Sequence, residues 1–357
     1  MVRNFDNANI LILGGTGSLG RRLYSRISSG EMGTPKSIVL FSRDEAKQHY
    51  LRLEIMQNTN ATDDVIYKKV FENTKFAIGD VRNYALVKKA AMEADVIFHA
   101  AALKQVPSCE YFPDSAIDTN IYGAINLTRA LNESPRISRT IVGVSTDKAC
   151  KPVNVMGMTK ALQERIIAQA NIDSPWCRFV NVRYGNVMAS RGSAIPFFLD
   201  LIRRNEPIPV TDARMTRYLM TLNQAVDLIF DAYKGALPGE TFIPMVPCAK
   251  ITDVISVVAE NLNYPTVNVG IRPGEKLHEV LVSEEETSRT NINGRNLVIG
   301  PILPELRVEK SVNSGKLPFE LEYTSGINTI SVSELESLLK SNKLTKSTAP
   351  LGQEIYT

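Results

Sequence analysis

The sequence predicts an α/β fold: a doubly wound parallel sheet followed by a smaller C-terminal α+β lobe. Three observations predict it. Short apolar runs recur through the first half of the chain, each followed by a helical pattern, and buried runs alternating with helices mark parallel βαβ units. A glycine-rich turn, Gly14-Gly15-Thr16-Gly17-Ser18-Leu19-Gly20, joins the first run to its helix. Small or polar residues stand at the carboxyl ends of several runs, where open α/β sheets bind ligands. The expected division is a core over residues 1–184, completed by later segments, a substrate lobe over most of 185–340, and a polar tail over 341–357.

Composition narrows the function classes. The chain has 357 residues, 44% hydrophobic and 22% charged, with 41 basic against 38 acidic residues and a net charge of +3. No global field points to nucleic acid or to a membrane surface. Cys109, Cys150, Cys177 and Cys248 lie far apart, as reduced thiols do, and His49, His99 and His278 have no metal-ligand spacing, so no metal site is expected. No run approaches the roughly 18 apolar residues of a membrane span. Asn9–Leu13 is too short for a signal peptide, and the cytosol is the expected compartment.

The first strand is Ile10–Leu13. Gly14, Gly17 and Gly20 recur every third residue behind it, which allows a tight turn and brings backbone N–H groups close to a pyrophosphate at the positive end of a helix. A Walker-type phosphate loop is excluded, because Arg21-Arg22 stand where Lys-Ser/Thr would be needed. The second strand, Ser37–Phe41, ends in Ser42-Arg43-Asp44. Arg43, with Ser42 before it and Lys47 a turn later, suits the extra phosphate of NADP, whereas Asp44 would suit the free hydroxyls of NAD. A helix from about Asp44 to Gln57 follows.

Lys75–Ile78 is the third strand, with Asp80 and Val81 at its tip; Asp80 would meet an adenine amino group or cap the next helix. In that helix Tyr84-x-x-x-Lys88 is a decoy, placed too far from where a nicotinamide would lie. The fourth strand, Asp95–Ala102, ends in Ala100, Ala101 and Ala102, small enough for a cofactor to pass over, with Lys104 beyond them at the pocket or in solvent. A helix carrying Asn120 and Gly123 leads to the fifth strand, Thr140–Val144, which closes on Ser145-Thr146-Asp147-Lys148-Ala149. A helix from about Gly157 to Ala170 and a sixth strand, Arg178–Val182, complete the core.

The glycine turn, Asp80-Val81, His99-Ala100-Ala101-Ala102, Asn120 and the polar tip of the fifth strand together resemble the extended short-chain dehydrogenase/reductase superfamily. Five segments narrow the resemblance: Ser42-Arg43-Asp44-Glu45, Ala101-Ala102-Leu103-Lys104, Ser145 to Ala149, Arg183 to Ser193, and Arg272-Pro273-Gly274-Glu275-Lys276. They resemble the inverting UDP-N-acetylglucosamine 4,6-dehydratases of polysaccharide biosynthesis, over roughly residues 8 to 340. The resemblance implies a Rossmann core with tightly bound NADP, a UDP-N-acetylglucosamine substrate and a homo-oligomer. The implied reaction is redox-neutral. Hydride leaves sugar carbon 4, water is lost across carbons 5 and 6, hydride returns to carbon 6, and carbon 5 is reprotonated from the opposite face.

By the same resemblance, Lys148 is the carbon-5 base, Asp147 the acid that helps the carbon-6 hydroxyl depart, and Thr146 a hydrogen-bond partner near carbon 4. Burial and a neighbouring Lys104 or Lys160 would lower the Lys148 pKa and free it as a base. Lys160 would hold the nicotinamide ribose. NADP would lie on Gly14, Thr16, Gly17, Ser18, Leu19 and Gly20, on Ser42, Arg43 and Lys47, on Asp80 and Val81, on Ala100 to Ala102, and on Lys104, Asn120 and Lys160. One departure stands out: where these enzymes usually carry Tyr-x-x-x-Lys, this chain has Met156-Gly157-Met158-Thr159-Lys160. Met156 exchanges no proton. Either Asp147, Thr146 with water, or a tyrosine from elsewhere serves the carbon-4 oxygen, or oxidation is lost. Some dehydratases on the path to L-fucosamine-type sugars have methionine there.

In the lobe the resemblance places Asn186 near the nucleotide's phosphates, Ser193 as a substrate-binding residue on the loop that opens into the lobe, Thr211 in the extended Pro207–Asp212 segment along the uridine, and Arg217, Arg272 and Glu275 at the diphosphate and ribose. Lys104 would also touch the sugar. Gln224–Tyr233 reads as an amphipathic core helix, and Ser333-Glu334-Leu335-Glu336 as a capping box for a short helix ending near Lys340. The tail is either disordered or draped over a neighbouring subunit. Two other functions compete with the dehydratase: a UDP-sugar 4-epimerase, which normally relies on the tyrosine, and a catalytically silent cofactor-binding scaffold.

Overall fold

The computed structural model describes residues 3–57, 73–189, 193–307, 316–327 and 329–349. The expected parallel core is present. Strands β1 (Asn9–Leu13), β2 (Ser37–Ser42), β3 (Thr74–Ile78), β4 (Val96–His99), β5 (Arg139–Thr146) and β6 (Cys177–Tyr184) pair in parallel in the order β6-β5-β4-β1-β2-β3. Beyond β6 the sheet continues with β7 (Thr241–Pro244), which is parallel to it. An antiparallel hairpin of β8 (Thr290–Asn293) and β9 (Asn296–Ile299) follows, β9 pairing with β7.

Alternation along each strand divides the core between two faces. Ile10, Ile12, Val142, Val144, Val180 and Val182 meet helices α1 (Ser18–Ser28) and α7 (Leu222–Gly235). Leu11, Leu13, Ile97, Ile141 and Phe179 meet the opposite layer, built from α3 (Tyr84–Ala91), α4 (Gly123–Asn132) and α5 (Val155–Asp173). Helix α2 (Glu45–Gln57) flanks β2 on the first of these faces, through Leu51. A separate apolar cluster holds the C-terminal lobe together, where Phe198, Leu199 and Ile202 of α6 (Ala194–Arg203) pack on Val254, Ile255 and Val258 of α8 (Ile251–Ala259) and on Leu335 and Leu339 of α9 (Val332–Ser341). No helix among the described residues is long and apolar enough to cross a membrane.

Several boundaries differ from those read in the sequence. Strand β4 stops at His99 rather than Ala102: Ala100 N still donates to Leu13 O at 2.9 Å, but β1 ends there, and the pairing with β5 ends at His99–Gly143 although β5 runs on to Thr146. Helix α3 is capped by Asn83, whose Oδ1 accepts from Leu86 N at 3.1 Å, and not by Asp80. Helix α5 begins at Val155, where Asn154 Oδ1 accepts from Gly157 N at 2.8 Å. The capping box of α9 starts at Ser331, not Ser333: Ser331 Oγ accepts from Glu334 N at 3.3 Å and Glu334 Oε2 accepts from Ser331 N at 2.9 Å. Both serines satisfy the Ser-x-x-Glu spacing. The start of the tail lies on its own chain, where Lys346 N donates to Val258 O at 2.8 Å; residues 350–357 lie outside the described residues.

Candidate active site

A cleft of about 1470 Å³ opens at the carboxyl ends of β1, β2, β3 and β4. Gly14, Thr16, Gly17 and Ser18 line it from the glycine turn. Gly14 has φ +84°, and a Cβ there would stand 2.7 Å from Ala101 N, so the turn can cross the strand-4 loop at this distance only as glycine. Gly20 faces inward; its Cβ would meet Gly14 O at 2.4 Å, and its absence lets α1 pack on the turn. Leu19 packs on the core and, like Gly20, does not line the cleft. Gly17 caps α1 without a side-chain hydrogen bond, leaving first-turn amides at the positive helix end open to an anion.

Ser42, Arg43 and Lys47 line the far end of the cleft, with Asp80 and Val81 beside them and Ala100, Ala101, Ala102 and Lys104 along its floor. The Arg43 side chain is 59% exposed and touches Asp80 at only 3.9 Å. Asp44 lines the cleft too, but its carboxylate is engaged: its Oδ1 accepts from Lys47 N at 3.0 Å, capping α2, and its Oδ2 meets Lys47 Nζ at 2.6 Å. The carboxylate that would favour free ribose hydroxyls is therefore committed to its own helix, while the guanidinium is available. Arg21 and Arg22 also line the cleft. Sequence reading used them only to dismiss a phosphate loop; their position one turn into α1 was the available signal.

Asn120 sits in a π-helical turn, Ile117–Tyr122, and is fully buried. It does not line the cleft. Its Oδ1 accepts from Leu103 N at 2.8 Å, and its Nδ2 donates to Leu103 O at 3.0 Å and Thr159 Oγ1 at 2.9 Å, tying the strand-4 loop to α5. Lys160 is buried on α5 and donates to Val144 O and Gln163 Oε1, both at 2.6 Å. Burial pushes its pKa down to about 7, with Glu164 opposing. Met156 packs in a small apolar cluster with Leu103, Val106, Cys109, Ala116 and Val155. The decoy Tyr84 and Lys88 pair with Glu133 away from the cleft.

At the tip of β5, Asp147 is 1% exposed. Its Oδ1 accepts from Thr146 Oγ1 at 2.8 Å and from Lys148 Nζ at 3.2 Å, while its buried Oδ2 has no hydrogen-bond partner. Burial raises the Asp147 pKa, Glu279 adds to the rise, and Lys148 opposes it. The Lys148 pKa corrects the sequence expectation. Burial pushes it down, but the Asp147 and Glu279 carboxylates outweigh burial, and the pKa stands above its ordinary value. The cation that opposes them is Arg217, not Lys104 or Lys160. Glu279, at 3.3 Å from Lys148 Nζ, was missed; it belongs to no motif and reaches the site only through the fold.

The lobe residues separate in the same way. Asn186 Oδ1, Ser193 Oγ and Glu275 Oε2 are buried without a hydrogen-bond partner, as atoms awaiting a ligand would be. Arg272 is exposed, beside the Gly274 turn, whose carbonyl accepts from Asn154 Nδ2 at 2.8 Å. Thr211 Oγ1 lies 3.3 Å from Met215 Sδ. Arg217 is directed at protein: its Nη1 donates to Thr216 O at 2.7 Å and Leu277 O at 3.3 Å, and its Nε stands 3.7 Å from Glu279. Arg191 and Gly192 lie outside the described residues.

Residues 10–300 match the family model described as "Polysaccharide biosynthesis protein". A UDP-glucose 4-epimerase of Rickettsia conorii is 41% identical over 295 residues, 80% of this chain and 81% of the relative. A UDP-N-acetylglucosamine 4,6-dehydratase (inverting) of Campylobacter jejuni is 38% identical over 289 residues, 80% of each. Among solved structures, Pen from Bacillus thuringiensis matches with a TM-score of 0.81 at 34% identity, over 99% of both chains. DesIV, a dTDP-glucose 4,6-dehydratase from Streptomyces venezuelae with NAD and TYD bound, shares the fold with a TM-score of 0.62 at 18% identity, covering 75% of this chain and 86% of that one.

Proposed function

Since this chain belongs to the polysaccharide biosynthesis protein family, and with it to the sugar-nucleotide-modifying short-chain dehydrogenases/reductases, we propose that it is an NADP-dependent, carbon-5-inverting UDP-N-acetylglucosamine 4,6-dehydratase. The observation that carries this reading is the buried Asp147–Lys148 contact, whose second carboxylate oxygen, Oδ2, is buried with no hydrogen-bond partner among the described residues. A 4-epimerase moves hydride at one carbon and needs no such pair. Both reactions need a group to take the carbon-4 alcohol proton, and with Met156 in an apolar cluster at the tyrosine position that proton would pass to Asp147 or through Thr146 and water in either case, so it does not separate the two readings. The epimerase name of the Rickettsia relative supports the second reading, and the product decides between them.

The glycine turn, the first-turn amides of α1 and Arg43 with Ser42 and Lys47 would hold NADP, which when bound supplies the hydride exchange. The chain's own chemistry centres on one proton. In the resting site Lys148 keeps it. Moving it from Nζ to Asp147 Oδ1 across their 3.2 Å contact turns an ion pair into an amine and a carboxylic acid. Those are the two forms the elimination needs: the amine removes the proton on carbon 5, acidified by a carbonyl at carbon 4, and the acid protonates the departing carbon-6 hydroxyl. The buried setting favours the transfer, since it removes two charges from a low-dielectric site. Thr146 fixes the Asp147 carboxylate for both states.

Incubation with UDP-N-acetylglucosamine in deuterated buffer, followed by proton NMR, should give a 4-keto-6-deoxy product with deuterium at carbon 5. Unchanged substrate over a cofactor-loaded protein rejects the dehydratase, and interconversion of UDP-glucose and UDP-galactose would favour the epimerase. Asp147→Asn and Lys148→Ala should each lower kcat by about 10²–10⁴-fold; a silent scaffold would be indifferent to both.

A further inference from the structure

We infer that Glu279 is a positioning residue for the Asp147–Lys148 pair, and that its ion pair with Arg217 is what allows Lys148 to release its proton. Glu279 comes from the C-terminal lobe and is 3% exposed. One oxygen, Oε1, lies 3.3 Å from Lys148 Nζ and 3.7 Å from Arg217 Nε; the other is buried without a partner. Its backbone cannot drift. Ser325 N donates to Glu279 O at 2.8 Å, Glu279 N donates to Ser325 Oγ at 2.9 Å, and Ser325 Oγ donates to Thr216 O at 3.1 Å. The same serine therefore fixes both Glu279 and the strand that carries Arg217.

The charge count explains why both members are needed. Fully ionised, Asp147, Lys148, Glu279 and Arg217 form two anions and two cations. After the proton passes from Lys148 to Asp147, Glu279 and Arg217 remain as a matched pair, so in both states the charges of these four groups balance. Without Arg217, Glu279 would hold Lys148 as an ammonium. Without Glu279, Lys148 would lose its anchor and face a bare guanidinium. The other groups facing the cluster fit this account. Lys276 adds a third cation near Glu279 beside Lys148 and Arg217, while burial keeps the Cys150 thiol (pushed up to about 12) and the Tyr218 phenol neutral. Burial works to raise the Glu279 pKa, but Lys148, Arg217 and Lys276 outweigh it and hold the carboxylate ionised.

The inference rests on the dehydratase reading for what the pair does, but the placement of Lys148 can be tested apart from turnover. In lysine-¹⁵N-labelled, cofactor-loaded protein, the Lys148 Nζ titration midpoint should fall by about one unit or more in Glu279→Gln and rise in Arg217→Met. In turnover, Glu279→Gln should lower kcat about 10–100-fold with KM within about threefold, and move both limbs of the pH profile toward acid. Glu279→Asp should return the profile to its wild-type position. An unmoved Lys148 midpoint, or a kcat loss with an unmoved profile, overturns the inference. Absence of dehydration by the wild type rejects the reading of function instead, and the titration alone then decides the role of Glu279.

Discussion

Lys148 and Lys160, on either side of Met156, meet opposite electrostatic fates. Lys148 is flanked by two carboxylates and holds its proton; Lys160 is buried against a carbonyl and an amide oxygen and binds its proton weakly. Its folded pKa, about 7, lies below that of the unfolded chain. Between those values the unfolded chain binds more protons, so stability rises with pH, and the cost of charging Lys160 is complete once pH falls below about 7. Lys160→Met should accordingly compare better with wild type in urea unfolding at pH 6 than at pH 9; an equal difference at both would show that Lys160 is not the titrating group. Met156 offers a cleaner test. If it only fills its apolar cluster, Met156→Leu should leave kcat within about threefold, because the swap conserves volume and removes no titratable group.

Helix α5 carries both of those residues, and its start is set by Asn154. That side chain caps the helix through Gly157 N and reaches Gly274 O in the distant Arg272–Lys276 turn. Asn154→Ala should cost about 1–2 kcal/mol of stability, read from the denaturant midpoint. It should also weaken substrate binding if that turn clamps a diphosphate. How legible such features were depended on range. The glycine turn, the six core strands and the polar tip of β5 follow local patterns, and sequence reading located them. The cap of α9 was displaced because two serines satisfied the same Ser-x-x-Glu spacing, and that of α3 because Asp80 and Asn83 are both capping residue types near the helix start. The end of β4 depends on where its pairing with β1 and β5 stops, which no local pattern records.

At the scale of the molecule, Arg183 on β6 ties the layers together. It is buried, pairs with Glu164 of α5 at 2.6 Å and Glu286 of the lobe at 2.7 Å, and donates to Leu281 O at 2.9 Å. Arg183→Met would strip both buried carboxylates of their hydrogen-bonded guanidinium, leaving Glu286 only Arg289 at 3.5 Å, a loss of about 3–5 kcal/mol. The sign with pH follows from Glu286: burial works to raise its pKa, but Arg183 outweighs burial and holds it low, so its share of stability is present above the unfolded carboxyl pKa and is lost as pH falls. The gap between variant and wild type should therefore narrow as pH falls below the unfolded carboxyl value, as unfolding midpoints at pH 7 and about pH 3 would show. Arg183, Glu279 and Arg217 have in common that their partners lie far along the chain. The resemblance marked Arg217 as a substrate contact, and only the fold turns it toward Glu279.

The sheet also dictates a sequence of events during synthesis. Strand β6 ends at Tyr184, but β7, which covers its outer edge, begins at Thr241, and the hairpin that caps β7 ends at Ile299. At about 5–20 residues per second, the growing chain on the ribosome carries six finished strands and an open hydrogen-bonding edge for several seconds. An open edge recruits other chains. A fragment ending before Thr241 should therefore be found in the pellet and with holding chaperones, whereas the chain carried on through the hairpin and α9 should stay in solution, even though both contain every residue of the glycine turn and of the β5 tip.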